Sequence, residues 1–153
     1  MKKILITSLL LVLMVFVDAQ AQSYIYRGRS TYSSDILYTW DGTHLYKGRS
    51  TYNSDILYTW DGKCLYSGRS TYSSDIILSW DGKYIYKGRS SYSSDVLATW
   101  DGKYLYSGRS TYSSDVLYHW DHQYVYSGRS SYSSDILCTI KGTLPVPILY
   151  LIL

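Results

Sequence analysis

From Ser23 onward, the hydrophobic and polar positions of this chain recur every twenty residues. One run of strand-forming residues, Asp95 to Trp100, is followed by a shorter one, Lys103 to Tyr106, with Asp101-Gly102 between them. Asp-Gly flanked by such runs predicts a β-hairpin whose type I′ turn needs positive φ at both central residues. With a two-residue loop, Val96, Ala98, Trp100 and Leu105 share one face, and Leu97, Thr99, Tyr104 and Tyr106 share the other. A three-residue loop with a bulge shifts that assignment. Both faces are apolar or aromatic, so each hairpin is expected to pack on both sides. Gly108 to Asp115 links one hairpin to the next, with a bend at the glycine and a tight turn at Ser-Ser-Asp. No window after the leader has a 3.6-residue period, so no helix is expected there.

Repeats begin at residues 23, 43, 63, 83, 103 and 123. Self-similarity at a fixed period sets the class: all-β, six tandem 20-residue hairpin repeats. The two ends are incomplete. Ser23 to Tyr26 lacks a preceding partner, and Asp135 to Ile140 carries Ile140 where five repeats have Trp. Together they can complete one hairpin and close the repeats around an axis, as a flower or barrel without free edges. An open meander and a β-solenoid are the alternatives. The chain therefore divides into residues 1–21, a six-repeat domain over 22–142, and an apolar tail over 143–153 outside the repeat. The tail is too short to span a membrane. It is expected to cover an edge or the core, or to be the trace of a reading-frame shift.

The start changes the picture of location. Met1-Lys2-Lys3, an apolar run from Ile4 to Val17 and a small-x-small site at Ala19 to Ala21 have the form of a secretory signal peptide. Export is the expectation, to a bacterial periplasm, cell surface or medium. No cysteine at the cleavage point marks a lipoprotein. After residue 21, thirteen Lys and Arg face eleven Asp, a net charge of +2 that gives no argument for nucleic acid or an anionic membrane. Cys64 and Cys138 could pair in an oxidising compartment, but they occupy unlike positions in their repeats, which reads as drift.

Asp81-Gly82-Lys83-Tyr84-Ile85-Tyr86-Lys87-Gly88, an instance of Asp-Gly-x-x-(Leu/Ile/Val)-Tyr-x-Gly, resembles the repeat of the β-flower proteins, small exported proteins of Bacteroidetes. The leader ending Ala19-Gln20-Ala21-Gln22 is similar too. The resemblance covers the chain from the leader to the tail, and the Trp-Asp-Gly and Gly-Arg-Ser elements have no counterpart in it. It implies hairpins set around an axis and an exported location, and no activity. More distantly, the Tyr-x-Gly spacing is similar to MORN repeats and the aromatic period to choline-binding repeats.

Catalysis needs an asymmetric cluster of unlike groups, and here nearly every polar group comes in sixes. No enzyme activity, cofactor or metal is expected. His119 and His122 read as a surface pair, and the aspartates as turn caps. Arg29, Arg49, Arg69, Arg89, Arg109 and Arg129 recur with Asp35, Asp55, Asp75, Asp95, Asp115 and Asp135. These read as a structural ladder of Arg bridging to Asp or turn carbonyls, with a basic row for an acidic glycan as the functional alternative. Trp40, Trp60, Trp80, Trp100 and Trp120 read first as core. With Tyr46, Tyr66, Tyr86, Tyr106 and Tyr126 they are also the candidate ligand-binding rows. Tyr is too abundant for a thin core, so some must face water and mark an interaction surface. The expected function is a non-catalytic binding module for a repetitive partner such as a polysaccharide or cell-surface polymer. The alternative is a structural protein that self-associates.

Overall fold

The computed structural model describes residues 21–153; the signal-peptide expectation lies outside the described residues. Twelve strands form one antiparallel sheet: β1 (Ser23–Arg27), β2 (Ile36–Trp40), β3 (His44–Lys47), β4 (Ile56–Trp60), β5 (Cys64–Ser67), β6 (Ile76–Trp80), β7 (Tyr84–Lys87), β8 (Val96–Trp100), β9 (Tyr104–Ser107), β10 (Val116–Trp120), β11 (Tyr124–Ser127) and β12 (Ile136–Lys141). Each pairs with its sequence neighbours, and β1 pairs with β12, so the sheet is a closed barrel. The seam matches Tyr24 with Lys141, Ile25 with Ile140 and Tyr26 with Thr139. The two incomplete ends make one hairpin, and the ring leaves no unpaired edge.

The hairpin register places Trp100 opposite Leu105 and Thr99 opposite Tyr106, where an Asp101-Gly102 loop would set Trp100 opposite Lys103; the shift is by two residues and so keeps the face assignment expected for a two-residue loop. It fails for the first residues of the strand. The ladder slips between Val96 and Ala98, leaving Leu97 as an extra residue opposite the β7 strand. Val96 therefore stands opposite Tyr86 on the outer face, while Leu97 packs against the core. The same bulge recurs in β2, β4, β6, β10 and β12. Bulges bend a strand and raise its twist, and one per repeat helps curl a sheet of short strands into a ring.

The turn is a second correction. Gly42, Gly62, Gly82 and Gly102 take positive φ, as does His122 at 76°, but no Asp of the Trp-Asp turns does. The turns are therefore not type I′. Each Asp keeps an ordinary backbone and spends its carboxylate on the turn instead: Asp81 Oδ1 accepts the backbone N–H of Lys83 at 2.9 Å and of Tyr84 at 2.7 Å.

Inside the barrel, Ile25, Leu45, Leu65, Ile85, Leu105 and Val125 are fully buried, and each contributes about 1.5–3 kcal/mol by leaving water. The bore is closed by the tail. After β12 the chain turns at Gly142, and a short helix, α1 (Val146–Ile152), has Ile148 and Leu149 fully buried in the same apolar cluster as the strands. The tail thus covers the core. Its helix departs from the all-strand expectation: Pro145 caps it and Pro147 sits in its first turn, where a missing N–H costs nothing. Gly142 has φ 108°, and a Cβ there would run into the Ser23 side chain; Ser23 Oγ in turn accepts the Thr143 N–H at 2.9 Å. Among the described residues no helix is long and apolar enough to cross a membrane.

Candidate functional site

The short turns gather at one end of the barrel, and the eight-residue loops leave from the other. Each long loop is braced from within. In the first, the Ser30 N–H bonds the Arg27 carbonyl, Ser30 Oγ accepts the Tyr32 N–H at 3.1 Å, and the same hydroxyl donates to Asp35. A 3-10 turn over Ser33–Asp35 completes it. The Ser-to-Asp bond recurs in every loop. Thr39 Oγ1, on the outer face of β2, donates to the Gly48 carbonyl at 2.7 Å. Each loop is therefore folded back over the outer wall, like a petal.

This bracing displays one residue. Tyr32, Tyr52, Tyr72, Tyr92, Tyr112 and Tyr132 are 73–76% exposed, one per loop. They form a six-membered ring of aromatic side chains held by a rigid turn. The abundance of Tyr predicts water-facing tyrosines, but the alternation pattern points to a different row, Tyr46 to Tyr126. The available signal was local: the exposed tyrosines lie among Ser, Thr and Asp, outside any strand-forming run.

The rows chosen from sequence are placed elsewhere. Trp40, Trp60 and Trp120 are buried, and Trp80 and Trp100 are half-buried against the bore. Trp40, Trp60, Trp100 and Trp120 line its short-turn mouth beside the tail residues Leu144 and Pro145, an apolar collar around the tail. They are not a platform row. Tyr46, Tyr66, Tyr86, Tyr106 and Tyr126 lie on the outer wall yet are buried under the loops. Each hydroxyl donates to the turn aspartate of its own hairpin, Tyr86 to Asp81 at 2.7 Å. Burial works to raise the pKa of Asp81, and the bonds from Tyr84, Tyr86 and Lys83 outweigh it, leaving the carboxyl below its usual range. Burial, and then the bond to Asp41, push the Tyr46 hydroxyl up to about 12. Tyr66 is also pushed up to about 12, chiefly by its bond to Asp61. These residues brace the turns.

The Arg–Asp ladder is corrected as well. Among the described residues, no Arg lies within ion-pair distance of a carboxylate; the single pair is His44 with Asp41 at 3.4 Å. Asp35, Asp55, Asp75, Asp95, Asp115 and Asp135 each take the hydroxyl of their own loop's serine, a shorter reach than an Arg would need. Arg29, Arg49, Arg69, Arg89, Arg109 and Arg129 are exposed. Arg89 lines a groove of about 360 Å³ together with Lys63, Tyr66, Ser73, Ser79 and Ser90.

His119 is not half of a surface pair. It is buried, stacked on Tyr126 with ring centres 5.2 Å apart and beside Tyr104 at 5.1 Å. Its Nδ1 faces the Ser130 carbonyl at 2.9 Å, so that nitrogen donates. Cys64 and Cys138 are both free, and burial pushes the Cys138 thiol up to about 12.

The chain belongs to the six-fold β-flower proteins: the model of that family, described as "6-fold beta flower protein", matches residues 25–149. The match runs through all six repeats and into α1. No curated protein and no solved structure matches.

Proposed function

We propose that this β-flower protein is an exported, non-catalytic binding module that holds a repetitive polymer, a glycan, on its outer wall. One observation carries the reading: the ring of Tyr32, Tyr52, Tyr72, Tyr92, Tyr112 and Tyr132, held out at 73–76% exposure by loops that are otherwise internally bonded. A large aromatic left in water in every one of six rigid loops is not explained by folding. Tyrosine supplies broad contact area with little rotamer freedom to lose, which suits stacking on a sugar ring. Six equivalent sites also suit a polymer, since each later contact is made at high effective concentration. The aspartates that could serve chemistry are engaged in turns, and the bore is occupied by α1, which supports a surface role over an internal one.

Titration calorimetry against a panel of polysaccharides tests this. The wild type should bind one polymer class, and Tyr52→Ser, Tyr92→Ser and Tyr132→Ser together should weaken binding by about tenfold or more through lost stacking and avidity. Retention of full affinity in that folded variant would sink the reading. Tryptophan emission is the wrong reporter, since the Trp collar faces the tail. If the same variant instead abolished a concentration-dependent oligomer in ultracentrifugation, the tyrosines would serve self-association.

A further inference from the structure

We propose that the outer wall carries a second kind of site: a slot at Cys64, flanked by Lys63 and Arg89, that takes one neutral aromatic ring of a small ligand, a ring the size of phenol. It occurs once per chain, in the third repeat, and does not depend on the polymer reading above.

Five repeats fill the equivalent position with a ring of their own. The residue two before each outer-wall tyrosine is Tyr24, His44, Cys64, Tyr84, Tyr104 or Tyr124. In five cases its ring stands tilted or edge-on to that tyrosine, with centres 6.1–6.3 Å apart. Tyr66 lacks this partner, because Cys64 offers a short thiol in its place. The space is the groove of about 360 Å³ lined by Lys63, Cys64, Tyr66, Ser79 and Arg89, a volume in the range of small-molecule sites. Cys64 is only half-buried, so solvent reaches it.

The fifth repeat shows what such a slot fits. There Lys103 Nζ and Arg129 Cζ lie 5.2 and 5.4 Å from the centre of the Tyr104 ring. Two repeats earlier, Lys63 and Arg89 hold the same positions around Cys64, and both are near enough to act on its thiol. The third repeat therefore keeps both cations and lacks the ring.

Charge selects a neutral ring over an anion. Asp61 accepts the backbone N–H groups of Lys63 and Cys64 and the Tyr66 hydroxyl, and its carboxylate keeps its negative charge beside the two cations. An anionic ligand would meet that carboxylate as well as the cations. A neutral ring draws on the cations through its quadrupole and sets its edge against Tyr66, a geometry aromatic pairs favour. His44 makes the same edge contact at 6.1 Å without a phenol hydroxyl, so the ring itself is what the position requires. Ser73 and Ser90, from two loops, also line the slot, and a small molecule passes them more readily than a loop of a second barrel.

The side chain missing from the third repeat, cut at Cβ, is para-cresol, and that is the probe. Titrated into the purified protein and followed by proton–nitrogen NMR, it should bind saturably, one molecule per chain, with shifts centred on Cys64, Tyr66 and Arg89. An affinity in the millimolar range suits a ligand of so few atoms. Its saturated analogue para-methylcyclohexanol, similar in size but without a π face, should bind about fivefold or more weakly. Cys64→Tyr should abolish binding by filling the slot, Cys64→Ser should leave it unchanged, and Arg89→Gln should weaken it about threefold. Thermal melts report that each variant is folded. Absence of binding, binding that survives Cys64→Tyr in the folded variant, or equal affinity for the saturated ring overturns the proposal. Tighter binding of para-toluate than of para-cresol overturns the neutral ring. A wild-type dimer in ultracentrifugation that Cys64→Tyr dissociates overturns the small ligand and gives the slot to a tyrosine of a second copy.

Discussion

The two faces of the same strands obey different rules. On the outer wall the period is kept: Tyr46, Tyr66, Tyr86, Tyr106 and Tyr126 make the same bond to the same aspartate, and a small hydroxyl at Thr39, Thr59, Ser79, Thr99 and Thr139 meets the loop backbone. Facing the bore, the equivalent position reads Tyr38, Tyr58, Leu78, Ala98, Tyr118 and Cys138. The difference has a physical source. The outer wall meets six copies of one loop, so the same residue types serve nearly every repeat. The bore meets a single helix, which has no six-fold symmetry and lies closest to β6, the strand of Leu78. Each strand therefore meets a different part of the plug, and no single residue type suits all six positions. A symmetric shell around an asymmetric plug can keep its period only on the outside.

The strongest way to break this comparison is to remove the plug. Leu149 is fully buried among the strands, and Leu149→Asp would place an unpaired carboxylate in an apolar bore, a cost of several kcal/mol. We expect loss of the cooperative unfolding transition, followed by tryptophan emission in urea. The milder Ile148→Ala should cost about 2–5 kcal/mol through the cavity it leaves. An unchanged midpoint for both would mean that the barrel stands without α1, and the irregular inner row would then lack its explanation.

The outer wall offers the next largest effect. Asp81→Ala strands the N–H groups of Lys83 and Tyr84 and the Tyr86 hydroxyl, and we expect a loss of about 1–3 kcal/mol. Regularity makes a sharper demand: Asp61→Ala and Asp101→Ala should cost the same within about 0.5 kcal/mol. Unequal losses, measured by chemical denaturation, would show that the outer period is only geometric.

The braces also titrate. Tyr46 and Tyr66 have folded pKa values of about 12, above the ordinary value near 10. For a raised pKa, the stabilisation is complete below the unfolded value and is lost as pH rises through the folded one. Thermal melts should therefore fall between about pH 10 and 12. Tyr46→Phe with Tyr66→Phe should flatten that fall; a variant as pH-sensitive as the wild type would remove these hydroxyls as its cause.

Which parts were legible from sequence follows the same division. The ring could be read because Ser23–Tyr26 and Asp135–Ile140 are complementary halves, and Trp100 with Leu105 obeyed simple alternation. Val96 and Leu97 were misassigned, since a bulge inserts a residue without a sequence mark of its own. The helix at Val146–Ile152 is too short to show a period, although Pro145 and Pro147 were a start signal. Alternation points to the tyrosines at 46, 66, 86, 106 and 126 as binding residues because it gives a side chain's face but not what covers it. The loops that cover them fold back through Thr39 to Gly48 and equivalent bonds, which only the three-dimensional path reveals.

His119 is where the outer wall itself breaks period, and it predicts the smallest effect. It stands where four repeats have Thr and one has Ser. Its Nδ1 is satisfied by Ser130, but its Nε2 is buried with no partner. A buried unpaired polar atom costs about 1–3 kcal/mol, and stacking on Tyr104 and Tyr126 returns about 0.5–1.5 kcal/mol. Thr in the same place has only a hydroxyl to satisfy, and in sister repeats it reaches the loop glycine carbonyl at 2.7 Å. His119→Thr should therefore stabilise the barrel by about 1 kcal/mol in urea denaturation at neutral pH. A loss of stability would mean that the aromatic stack outweighs the orphaned nitrogen. In that case the outer wall, like the bore, accepts departures from its period when the neighbours on that strand are shaped to receive them.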